Sequence, residues 1–187
     1  MDIAGLLGSL ESSKLATGIR DSLYMFPVIE SFHVVGLTLV FGTIVIVDLR
    51  LLGIASIRRP FKRITSDIMK WTWAAFALTA TAGVLMFITN ANTYYHNFFF
   101  RTKMVLLLLA GLNMLIFELT AGRTVHRWNN DSAAPPAGKA VAMLSLILWI
   151  SIIFMGRWVG FTTSQSEAPL DPSINLEELF PTPGNPK

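Results

Sequence analysis

The sequence predicts an all-α integral membrane protein, a four-helix bundle preceded by an N-terminal amphipathic interfacial helix. Two observations carry this. The 187-residue chain is 52% hydrophobic and only 14% charged, where a soluble domain carries roughly 25% charged residues. Its apolar residues also gather into four long runs separated by short basic or polar segments. The mean hydropathy of +0.53 agrees.

The first 26 residues lack the basic start and uninterrupted apolar stretch of a secretory signal, since Asp2 and Glu11 intervene. Ile3, Leu6, Leu7 and Leu10 instead recur at helical spacing, followed by Leu15, Ile19, Leu23 and Phe26. That pattern predicts an amphipathic helix over 1–26. It would lie on the membrane–water boundary or pack on the mouth of the bundle.

A bilayer core about 30 Å thick needs roughly 20 apolar residues in a helix. Four windows satisfy this at about 28–53, 71–89, 102–121 and 140–161, within a membrane domain spanning 27–161. Helices bond their own backbone groups, as lipid demands, and none of the windows alternates as a barrel strand would. The tail from 162 to 187 is acidic and proline-rich, predicting extended chain with at most one helical turn around Leu176–Phe180.

The net charge of +3 and the basic pI of about 9.5 do not point to nucleic acid, because the bases sit in two short loops. The segment 58–70 holds Arg58, Arg59, Lys62, Arg63 and Lys70 against Asp67, and 122–139 holds Arg123, Arg127 and Lys139 against Asp131. By the positive-inside rule both loops are cytoplasmic, so the N- and C-termini are expected outside. The chain has no cysteine, which excludes disulfides and thiolate chemistry. Phosphate-binding glycine loops, nucleophile elbows and HExxH pairs are also absent from it.

Ionisable residues inside a span are costly and call for a functional reading with a partner. Placed by topology, they form two layers. The outer layer collects Glu30, His33, Met86, Arg101, Lys103, Met104, Met155, Arg157 and Trp158, with His33 roughly 9 Å in from Pro27. The inner layer collects Asp48, Arg50, Glu118, Arg123 and His126.

His33 has three chemical uses here. Imidazole with methionine is an axial set for haem iron, so His33 with Met155 or Met86 could hold a b-type haem, and Arg157, Arg101 and Lys103 could bind its propionates. The same donors suit copper as Cu(I), and His33 beside Glu30 could relay protons. The structural alternatives are plain. One interhelical hydrogen bond would account for His33, and core filling for the methionines. Arg101 and Lys103 would snorkel to the headgroups, and Arg157 would pair with Glu30. In the inner layer Asp48 is expected to pair with a base such as Arg123, Arg50 to anchor the span, and Asn113 and Glu118 to bond between helices.

The runs FHVVGLTLVFGTIVIVDLRLLG, FFFRTKMVLLLLAGLNMLIFE and GRWVGF resemble an uncharacterised family of bacterial four-helix inner-membrane proteins, over most of 28–161. More distantly the layout is similar to HemJ-type protoporphyrinogen oxidases and copper-resistance D-type proteins. Those families share a first-span histidine, an arginine–leucine pair at its inner end and a lysine opening the third span, matched here by His33, Arg50–Leu51 and Lys103. The resemblance implies haem on His33. It departs at Arg101, where HemJ-type chains usually carry a histidine.

The function expected is thus a small membrane redox protein with one haem b near the outer face. Its partners beyond the bilayer would be a quinol or a periplasmic redox protein, within a membrane complex or homo-oligomer. A cofactor-free membrane subunit or permease-like protein is the alternative, and copper handling a third.

Overall fold

The computed structural model describes residues 3–55, 60–129 and 134–167, with side chains to residue 163. Among these residues the regular structure is entirely helical. Two short helices, α1 (Ile3–Glu11) and α2 (Lys14–Asp21), precede the long α3 (Met25–Leu52) and α4 (Phe61–Thr89). The short α5 (Ala91–His96) leads into α6 (Phe98–Leu119), a 3₁₀ turn at Gly122–Thr124, α7 (Val125–Trp128) and the long α8 (Pro136–Glu167). Arg58, Arg59, Asp131 and the tail around Leu176–Phe180 lie outside the described residues.

Four of these helices, α3, α4, α6 and α8, are long and apolar enough to cross a membrane. At most 22% of the residues in any one apolar window is buried. The remaining apolar side chains face outward, which suits lipid and would be untenable in water. The chain is therefore a multi-pass α-helical membrane protein. Helices α4 and α8 overrun the apolar windows of the sequence. α4 begins at Phe61, so Lys62, Arg63 and Lys70 ride on its first turns, and α8 starts at Pro136.

Helix α3 is central, packing on α4 along one side and α8 on the other, while α6 packs on α8. Glycines and alanines make the α3–α4 approach close. Gly36 is buried against Ala75 and Thr79 of α4, and a Cβ there would meet the Ala75 carbonyl oxygen at 3.3 Å and run into the Thr79 hydroxyl. Without a hydrophobic drive between helices in lipid, such small-residue contact is the main source of attraction.

The amphipathic N-terminal segment breaks into two helices because Ser13 caps α2, accepting from the Ala16 amide at 3.2 Å. Both dock on the end of the bundle where α4 stops. Arg20 Nη1 donates to the Thr89 carbonyl at 2.9 Å, and the Asn92 amide donates to Glu11 Oε1 at 2.8 Å. Leu7, Ala16 and Ile19 are buried in the contact, whereas Ile3, Leu6, Leu15 and Leu23 stay more than half exposed. One face thus seals the bundle end, and the other offers apolar surface to an interface.

The opposite end, which carries the loops, is knitted by Asn129. The Phe61 amide donates to its carbonyl at 2.9 Å, and the Lys62 amide to its Oδ1 at 2.8 Å. Two orphan donors of α4 are thereby satisfied. Phe61 packs between Trp128 and Phe117 in tilted ring contacts, with centroids at 5.1 and 6.0 Å. Gly53, at φ 78°, closes α3 in the left-handed conformation glycine tolerates best.

Two outcomes follow. Gly36→Val should cost about 1–3 kcal/mol by overpacking the α3–α4 seam, read as a lower unfolding midpoint in detergent. Arg20→Ala should raise protease sensitivity near residue 12 by freeing α1 and α2 while leaving the four long helices intact by circular dichroism.

Candidate functional site

His33 sits on α3 facing α4, three residues before Gly36 and so one turn along the same close seam. Its ring is half-buried, and its Nδ1 lies 2.9 Å from the Thr79 carbonyl oxygen. A carbonyl only accepts, so Nδ1 carries the proton in this bond. In the neutral ring Nε2 then presents a lone pair. No hydrogen bond to that atom forms among the described residues. The ring lies against Gly83, where a Cβ would approach Cε1 at 3.1 Å and Nδ1 at 3.4 Å. Gly83 therefore makes the room in which the imidazole sits. Neither partner could be named from His33 itself, since one is a backbone carbonyl and the other lacks a side chain.

Lys103 and Glu30 both lie within electrostatic range of the imidazole. Lys103 is half-buried and packs over Gly156 of α8, where a Cβ would lie 3.5 Å from Nζ and 3.7 Å from the Cδ and Cε atoms. It therefore lies along the α6–α8 contact. Met86 is three residues beyond Gly83, on the same side of α4, and is half-buried, as is Met155 beside Gly156.

The remaining members of the outer layer turn away. Arg157 is exposed, with its guanidinium 4.8 Å from the Phe161 ring centroid; it does not pair with Glu30. A cation over an aromatic face one turn along is satisfied without an acid. Arg101 is exposed, and Met104 is 41% exposed on the outer surface of α6. Asn97 is inconspicuous in the sequence, yet it organises this end. Its Oδ1 accepts from the Phe99 and Phe100 amides at 2.9 and 3.2 Å, and its Nδ2 donates to Thr162 Oγ1 at 2.7 Å. It caps α6 and ties that cap to α8.

The inner layer holds a second polar centre. Asp48 is only 5% exposed. It accepts a hydrogen bond from Ser145 of α8, and its Oδ2 has no hydrogen-bond partner. The expected pairing with Arg123 does not form: Arg123 is exposed on the loop-side 3₁₀ turn. Arg50 does not snorkel as an anchor would. It is fully buried and engaged in an interaction of its own. Asn113 bonds between helices as its sequence position suggests, Nδ2 donating to the Val141 carbonyl at 3.0 Å. Its Oδ1 is buried without a partner. Glu118 is exposed, beside Gly122, and does not act as a buried interhelical bond.

Among the described residues no three His, Asp or Glu side chains converge closely enough to hold a metal ion. Ser145→Ala should remove the one hydrogen bond Asp48 accepts and cost about 1–3 kcal/mol, measured as a thermal shift. Asn97→Ala should cost about 1 kcal/mol through the lost cap.

No curated protein and no solved structure matches the chain. A family match does cover residues 18–162, taking in α3 to α7 and parts of α2 and α8. The chain is a member of the family of unknown function DUF6644.

Proposed function

We propose that this multi-pass membrane protein is a redox protein of the bacterial inner membrane that holds one b-type haem on His33. The observation that carries the reading is the His33–Thr79 bond. A ligating histidine characteristically donates its other ring N–H to a carbonyl or carboxylate, which fixes the tautomer and strengthens the ligand. His33 has that bond at 2.9 Å, and its Nε2 is the atom left to bind iron. The chain thus fits one axial ligand well.

Met86 and Met155 are the candidates for the second, both half-buried near that end of the bundle. Lys103, in electrostatic range of His33, is the cation suited to a propionate. Arg101 and Arg157 lie exposed at the bundle surface and are weaker choices. The bound group would supply one-electron chemistry. The protein's own residues would orient the imidazole, seat it against Gly83 and hold positive charge beside it. The distant similarity to HemJ-type proteins adds to this reading. So does the basic character of both loops, which favours a periplasmic His33 end. There a quinol or a periplasmic redox protein would exchange electrons, the latter docking on α1 and α2.

A second reading has its own observation. The Thr79 bond and the Gly83 contact join α3 to α4 by themselves, as Asn113 and Ser145 join helices deeper in. On that view the chain is a cofactor-free membrane subunit or permease-like protein. Copper handling draws less support, because Met104 faces outward.

Absorption spectroscopy of detergent-purified protein, expressed with haem precursor, separates these readings. The expected result is a Soret band at about one haem per chain, lost in His33→Ala and altered in Met86→Ala or Met155→Ala. A well-folded preparation free of both haem and copper would leave the cofactor-free reading standing.

A further inference from the structure

A cavity of about 360 Å³ opens in the loop-side half of the bundle, at the small end of the range for small-molecule sites. Its existence follows from the packing. Helices α3 and α8 form its back, while the backbones of α4 and α6 stay apart and meet only through ring pairs such as Phe61–Phe117 and Phe87–Phe100, so the two walls part toward the lipid between them. Phe61, Trp73 and Phe76 of α4 and Phe117 of α6 bring aromatic rings to those walls, and Trp149 of α8 adds one at the back. The rest of the lining is aliphatic or carries threonines bonded back to their own helices, with the exposed Glu118 at the edge, so its buried polar members stand out.

Asp48 and Asn113 both line it, at 5% and 4% exposure. Each leaves one oxygen buried and unpaired, Asp48 Oδ2 and Asn113 Oδ1. The remaining polar atoms are spoken for: Asn113 Nδ2 by the Val141 carbonyl, and the other side of Asp48 by Ser145. Val141 and Ser145 are four apart on α8 and share a face, so they hold Asn113 and Asp48 about one turn apart. Two unpaired buried oxygens beside an apolar, membrane-embedded chamber are costly, and Asn113 Oδ1, its amide fixed by Val141, can only accept. The ligand that complements them must bring hydroxyl donors on a body apolar enough to arrive through the bilayer.

We infer that this cavity is a binding site for a membrane-dissolved quinol, its dihydroxyaromatic ring seated between the aromatic walls, its hydroxyls donating toward Asp48 and Asn113, and its apolar tail leaving between α4 and α6. A ring head stacks on Phe and Trp faces, which a saturated acyl chain would not exploit. Asn113 cannot turn its amide to greet a carbonyl without abandoning Val141, so at least that position demands a donor. The oxidised quinone offers only acceptors and is the poorer match. The site lies in the opposite half of the bundle from His33, is separate from any electron exchange at that end, and requires nothing of it.

The test is equilibrium binding to the full chain in nanodiscs, under anaerobic conditions, with decyl-tailed benzoquinol and the corresponding benzoquinone as probes. Wild type should bind one quinol per chain at least about tenfold more tightly than the quinone, as one hydrogen bond made or lost would give. Gly111→Phe is the blocking variant. Gly111 lines the cavity, and a Cβ there meets nothing within 4 Å, so a side chain can enter the cavity without disturbing the helix. It should weaken quinol binding by tenfold or more. Asp48→Asn keeps the shape but adds a donor, and should narrow or invert the preference for quinol over quinone. Equal affinity of wild type for the two redox states would overturn the inference. So would undiminished binding in Gly111→Phe, or equal displacement by a long-chain alcohol or by phospholipid.

Discussion

The close approach of α3 and α4 at Gly36 sets the terms for the rest of the bundle. Because no Cβ intervenes at Gly36 or Gly83, the two backbones come near enough for an imidazole on one helix to reach a main-chain carbonyl of the other. Thr79 serves the same seam twice. Its hydroxyl returns to Ala75 at 2.9 Å, so no polar hydrogen is stranded in the contact, and its carbonyl receives His33. In lipid there is no water to satisfy groups that miss their partner. The seam must therefore be both close and chemically complete.

The same requirement explains the ends of the bundle. Glu11, Arg20 and Asn97 satisfy backbone groups that the helix termini of α4, α5 and α6 leave open, and Asn129 does so at the loop side. It is not met everywhere. Asp48 and Asn113 each keep an unpaired buried oxygen, and both residues line the cavity that opens where α4 and α6 draw apart. Incomplete satisfaction is expensive, and where it persists in a folded chain a ligand is its natural complement.

The polar residues therefore form two centres that differ in character. The His33 ring makes one hydrogen bond and keeps a single lone pair, which suits coordination. Around Asp48 and Asn113 two buried oxygens lack partners beside an apolar chamber, which suits a hydroxyl-bearing amphiphile. Arg157, which resembles a site residue by sequence depth, belongs to neither, since its contact with Phe161 on the bundle surface occupies it.

Length and hydropathy by themselves determined the membrane class, the four helices and the position of Asn113 as an interhelical hydrogen-bonding group, because bilayer thickness and the absence of water act on each segment alone. They also singled out His33, since an intramembrane imidazole is conspicuous in one dimension. Only tertiary structure decided what each polar residue meets. The partner of His33 is a backbone carbonyl and that of Asp48 a serine, neither of which carries a sequence signal. Arg50 was readable as an anchor from its place near a helix end, yet the loop-side core encloses it. The cavity had no local signature at all. It exists because the backbones of α4 and α6 approach α3 and α8 rather than each other, and that choice belongs to the assembled bundle.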